Sequence, residues 1–150
     1  MRRTLSIIIV ISSLYVKDTY ATEPLLVSCS SPKGYSYYFE DNNITPGGTG
    51  FRTDGLSDST FSLMLDAEGN GDVLWKDESG AVRSVKSKGA TVSVIQHDNG
   101  GTNWLVIYPV ATMQVYSFAP SSLTALFYES KVGDKFLSRN SLFASNCNFR

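Results

Sequence analysis

Histidine is almost missing from this chain, cysteine occurs only twice, and neither sign of charge dominates. Each shortage removes a class of chemistry. The 13 basic and 14 acidic side chains give a net charge of −1, too little for the electrostatic footprint of a nucleic-acid or anionic-membrane binder. His97 is the single histidine. A nucleophile–base–acid set needs a histidine held by a carboxylate and facing Ser or Cys. The adjacent Asp98 would point to the opposite face of a strand, and no Gly-x-Ser-x-Gly motif is present. A surface histidine at a strand end accounts for His97 more simply. Beyond residue 21 there is no apolar run long enough to span a bilayer. There is also no sustained helical period, internal repeat or low-complexity tract.

The amino terminus carries the clearest pattern. Met1-Arg2-Arg3 is cationic, residues 5–16 are apolar or small, and Thr19-Tyr20-Ala21 places small side chains at the −3 and −1 positions of a cleavage site. We expect residues 1–21 to be a signal peptide and residues 22–150 to form a single β domain. Cutting there leaves 129 residues with 10 basic and 13 acidic side chains, a net charge of −3. In an exported chain, Cys29 and Cys147 are expected to form a disulfide, which would set the first and last strands side by side. The chain-entropy model gives a loop of about 120 residues up to roughly 5 kcal/mol of stabilisation. With the thiols so used, the usual ligands of a transition-metal site are lacking. Leu26-Val27-Ser28-Cys29 also spells a lipoprotein-processing box. However, charged residues and Pro24 separate it from the apolar segment, and lipidation would strand Cys147.

From Leu25 onward, short alternating apolar runs are divided by Gly, Asn, Asp, Ser and Pro, the mark of antiparallel β structure. Strands are expected at 25–29, 35–40, 60–66, 72–76, 82–87, 91–97, 104–109, 113–119, 124–130 and about 141–147. Asn70-Gly71 is a hairpin signal, and Ser79-Gly80, Lys88-Gly89, Asn99-Gly100-Gly101 and Gly133-Asp134 mark further turns. Residues 41–59 read as the longest loop. Residues 123–128 are ambiguous between helix and strand. The fold class that follows is all-β, a single antiparallel meander of about 8–10 strands closed into a barrel or sandwich.

Several patterns imitate chemistry. Asp66-Ala67-Glu68-Gly69-Asn70-Gly71-Asp72, closed by Asp77, resembles a calcium loop, but the flanks alternate like strands. A solvated hairpin tip explains the same residues. Most acids, including Asp41, Asp54, Asp58, Glu78 and Asp134, fall in turns. Glu40 and Glu129 lie at strand ends, where a pair of convergent acids could serve a hydrolase. Pro46-Gly47-Gly48-Thr49-Gly50 lacks the lysine and helix start of a phosphate loop. Asn43-Ile44-Thr45 is a formal glycosylation sequon. Aromatic residues on strands are usually core or cross-strand partners. Tyr35, Tyr37, Tyr38, Phe51 and Trp104 are the candidates for a binding face or the wall of a cavity mouth.

Residues 29–38 (CSSPKGYSYY), with Gly80-Ala81-Val82-Arg83-Ser84 and the closing Ser141-Leu142-Phe143-Ala144-Ser145-Asn146-Cys147, are similar to small exported proteins of proteobacteria without an assigned activity. The resemblance implies a periplasmic or secreted address and transfers no site. The function expected is that of a non-catalytic binding protein engaging another protein, as inhibitor, immunity or host-directed factors do. The alternatives are a small apolar-ligand carrier with a lipocalin-like cavity and, last, a carboxylate-dependent hydrolase. No cofactor, metal, nucleic acid or permanent membrane span is expected.

Overall fold

A computed structural model describes residues 24–39, 48–56, 59–77, 79–110, 112–132 and 138–150. The expected signal peptide and sequon, Glu40, and the Gly133-Asp134 turn lie outside the described residues. Ten antiparallel strands form one sheet: β1 (Leu25–Tyr38), β2 (Gly50–Gly55), β3 (Thr60–Leu65), β4 (Gly71–Lys76), β5 (Val82–Ser84), β6 (Thr91–Gln96), β7 (Thr102–Ile107), β8 (Thr112–Ala119), β9 (Thr124–Lys131) and β10 (Arg139–Phe149). The ambiguous stretch 123–128 is strand. Among the described residues no helix is long and apolar enough to cross a membrane.

The strand order is β5-β4-β3-β1-β10-β9-β8-β7-β6, with β2 also paired to β1. This is a meander bent round so that the first and last strands meet. The sheet curls into a half-barrel whose two edges, β5 and β6, are consecutive in sequence. Here the expected strand 82–87 stops early. Val85 turns inward, only 1% exposed, and Lys86–Lys88 form a 3-10 turn that leads into β6. Side-chain packing bridges the gap. A Cβ on Gly71 of β4 would lie 2.1 Å from Val94 Cγ2 and 2.9 Å from the Trp104 ring, so only glycine lets β4 approach β6 and β7 this closely. Trp104 Nε1 then donates to Met64 O at 2.8 Å.

Cys29 sits directly opposite Cys147 in the β1–β10 ladder, and the two are disulfide-bonded with Cα atoms 4.0 Å apart. The runs expected as separate strands at 25–29 and 35–40 are one strand, interrupted by a bulge. Between Ser30 and Lys33, β1 carries one residue more than β10, Ser31 has φ 48° and Pro32 is buried. The bulge lets one edge of β1 pair with β3 before it and β2 after it. β2 itself lies inside what reads as loop, because its alternation is too polar to signal a strand.

Asn70-Gly71 marks a real hairpin but not its turn. Gly69 takes the left-handed conformation at φ +84°, while Gly71 belongs to β4. Asp66 decides this: its carboxylate accepts Asn70 N at 2.7 Å and Asn70 Nδ2 at 3.0 Å. The inward face packs an aromatic cluster in which Tyr116 stacks on Phe127 at 4.7 Å and Phe61 lies 5.2 Å from Trp75.

Candidate functional site

Strand alternation sorts the five candidate aromatics onto different surfaces. Tyr35 and Tyr37 project outward from β1, and Phe51 projects outward from β2 opposite Tyr37, with ring centroids 4.9 Å apart. Tyr35 is 65% and Phe51 79% exposed. Tyr38 has the other parity. Its hydroxyl donates to Asp54 Oδ2 at 2.8 Å, and the Arg52 guanidinium lies 4.8 Å from its ring centroid. Trp104 corrects the expectation outright: it is fully buried, because its position on β7 falls between the inward-facing Thr102 and Val106.

The outer face extends beyond the expected residues. Tyr35 is paired with Leu142, Leu142 with Tyr128, Tyr128 with Val115 and Val115 with Leu105. A row of large apolar side chains therefore crosses five strands, each directly opposite the next in register. Met113, Ile107 and Leu126 are exposed beside it. No outward-facing position on β6 to β10 carries a charge, and Lys33 is the one outward charge on β1. A sequence signal was present. The stretch 102–132 has only Glu129 and Lys131 as charged residues, which leaves the outer parity of its strands uncharged.

The inward face ends differently. Where β4, β7 and β9 finish and β8 and β10 begin, an open cleft of about 710 Å³ is lined by Leu56, Trp75, Tyr108 and Phe127 together with Gln114, Glu129, Lys131 and Arg139. A hydrogen-bond relay crosses its floor. Trp75 Nε1 donates to Tyr116 Oη at 2.9 Å, Tyr116 Oη to Gln114 Oε1 at 3.0 Å, and Gln114 Nε2 to Glu129 Oε2 at 2.8 Å. Arg139 then joins two carboxylates, reaching Glu129 Oε1 at 3.0 Å and Asp54 Oδ2 at 3.3 Å. Ser36 Oγ donates to Asp54 at 2.7 Å and contacts Ser141 Oγ at 2.7 Å.

Charge and burial compete along this relay. Burial pushes the Asp54 carboxyl up, but hydrogen bonds from Ser36, Tyr38 and the Gly55 N–H, with the Arg139 charge, outweigh it and hold Asp54 below the usual carboxylate range. Burial alone would weaken the Arg139 proton, yet Glu129 opposite raises its affinity above the ordinary value. Tyr116 is pushed well up, chiefly by burial. Two acids thus meet around Arg139, as a hydrolase would require, but both are spent on ion pairing. Among the described residues, Arg139 Nε is buried without a partner.

The calcium-loop imitation comes apart in space. Asp66 closes the β3–β4 hairpin, and Asp77 lies past the far end of β4, where it accepts from Ser79 and Ala81 N. Among the described residues no three His, Cys, Asp or Glu side chains come together. His97 is an exposed hairpin residue whose Nε2 lies 2.8 Å from Asn103 Nδ2. Comparison with protein-family models, curated proteins and solved structures finds no match.

Proposed function

We propose that this chain is an exported, non-catalytic binding protein that engages another protein through the outer face of β1, β2 and β7–β10. One observation carries the proposal: a continuous apolar row, rimmed by Tyr37 and Phe51 and free of charge from β6 to β10. Protein interfaces are depleted in charge at their cores and enriched in aromatics, whereas a solvated sheet face normally alternates to polar residues. Large exposed apolar patches on soluble proteins mark interaction sites. The amino-terminal pattern and the Cys29–Cys147 bridge support an address outside the reducing cytosol, periplasmic or secreted.

The test compares capture by the immobilised, oxidised protein with capture by Leu142→Glu and Tyr35→Glu variants, using envelope and medium of the source cell. A protein held by the wild type, retained in high salt and lost from both variants is expected. Capture that survives both substitutions, or a purely charge-driven partner released by salt, would overturn the reading. Sedimentation that shows a stable dimer broken by the same variants would replace it with self-association.

A further inference from the structure

We infer that the cleft at the open end of the half-barrel is a separate binding site for an amphiphile with an apolar body and a single anionic head. This goes beyond the outer-face proposal and uses none of its residues. The void is of a size that accepts a small organic ligand. Its walls explain the apolar body. Trp75, Tyr108, Phe127 and Leu56 present carbon surface, while the Trp75–Tyr116–Gln114–Glu129 groups of the floor are already satisfied among themselves and leave Arg139 Nε as the one buried cleft atom without a partner among the described residues. Trp75 Nε1 is used by Tyr116, and both ends of the Gln114 amide are used, by Tyr116 and Glu129. A polar ligand body would find few free partners there and would lose hydration without compensation.

The rim explains the head. Glu129 is neutralised by Arg139 at 3.0 Å and Lys131 at 3.5 Å. Asp77 is occupied by Arg83 at 3.7 Å and by its own hairpin. Lys76, at the end of β4, and Lys88, on the 3-10 turn, also line the cleft, and neither is ion-paired among the described residues. Among the described residues, the lining therefore holds two cations with no matching acid, placed beside an aromatic slot. Long alkyl carboxylates have this shape and charge, and so do other single-headed anions with an apolar tail.

The experiment titrates the oxidised protein with dodecanoate, dodecanol and dodecyltrimethylammonium, each below its micelle concentration, by calorimetry and tryptophan fluorescence. Dodecanoate should bind saturably and most tightly. Lys76→Glu combined with Lys88→Glu should weaken it by about tenfold, the scale of two partly exposed charge contacts reversed, and should improve the cationic amphiphile. Thr112→Trp, which places a ring in the cleft, should block all three ligands. Leu142→Glu should change none of them, so the outcome is independent of the outer face. No saturable binding, equal affinity for the three heads, or dodecanoate affinity unmoved by both the lysine reversals and Thr112→Trp would overturn the inference.

Discussion

On β8, β9 and β10 every charged side chain, Glu129, Lys131 and Arg139, points inward at one end of the half-barrel, whereas the outward face of the same strands has none. The charges of these strands therefore lie on the face that a sheet usually keeps apolar. Toward the disulfide the inward positions are ordinary core, with Phe118, Ala125 and Cys147 nearly inaccessible. The contrast separates two kinds of function. The inward charges form a fixed network that shapes a cleft, and the outward surface is free to be covered. Inward changes should therefore be paid in stability, and outward ones in association.

The largest effect falls on the inward seam. Reducing Cys29–Cys147 releases a closure spanning 118 residues and should lower stability by up to about 5 kcal/mol, read as a fall in the thermal midpoint of the reduced protein. An unchanged melt, with two alkylatable thiols in the native unreduced protein, would contradict the bridge. Next comes Arg139→Ala, which takes the shorter of two ion pairs from Glu129, itself 5% exposed, leaving it only Lys131 at 3.5 Å, and removes the Asp54 ion partner. Breaking a buried pair from one side typically destabilises by roughly 3 kcal/mol or more, so denaturant unfolding should show a clear loss. Lys131→Ala, removing the longer 3.5 Å contact, should fall below about 1 kcal/mol. Equal losses for the two variants would mean that the relay has no centre at Arg139.

Acid sharpens the same comparison. The Asp54 carboxyl is held below its ordinary value, so its ionised form is favoured in the folded state. That stability is present above the unfolded carboxylate pKa, near 4, and is lost as pH falls through the lower folded value. Denaturant midpoints measured between pH 6 and pH 3 should decline in the wild type, and the decline should be shallower in Asp54→Asn. No such difference would remove Asp54 from the network. Changes on the outer face that introduce no carboxyl group, such as Leu142→Ala, should leave this slope alone.

How much of this was legible follows from which signals are local. Alternation alone marks β3 and β6, and export chemistry marks the cysteine pair, because each depends on neighbours in sequence or on compartment. The union of 25–38 into a single strand was hidden by Pro32 and Gly34, which read as a break. In space they serve a bulge and a tight approach, where a Cβ on Gly34 would lie 1.9 Å from Leu142 O. The relay was unreadable because Asp54 sits in a stretch that looks like loop, and because its partners Arg139 and Ser36 reach it across β1 and β10. Tyr35, Tyr37 and Phe51 were legible as candidates, but their continuation through Leu142 and Tyr128 depends on register, which no sequence pattern supplies. Trp104 misled for the same reason: a tryptophan on an alternating strand is informative only once the inner face is known.

The smallest stability effects belong to the outer face, and they are the sharpest discriminator. Leu142 is 53% exposed and its neighbour Tyr35 65%, so replacing either with Glu removes little buried area and should shift stability by no more than about 0.5 kcal/mol. Leu142→Glu places an uncompensated carboxylate within the apolar row, between Tyr35 and Tyr128. Any partner pressed against it would have to desolvate that charge without an opposite one to meet it, a penalty far larger than the lost contact. A variant that melts like the wild type, stays more soluble and yet no longer associates is the pattern expected of a surface kept uncharged for docking. A variant that unfolds instead would show that the row holds the sheet together from outside, and the functional contrast between the two faces would fail.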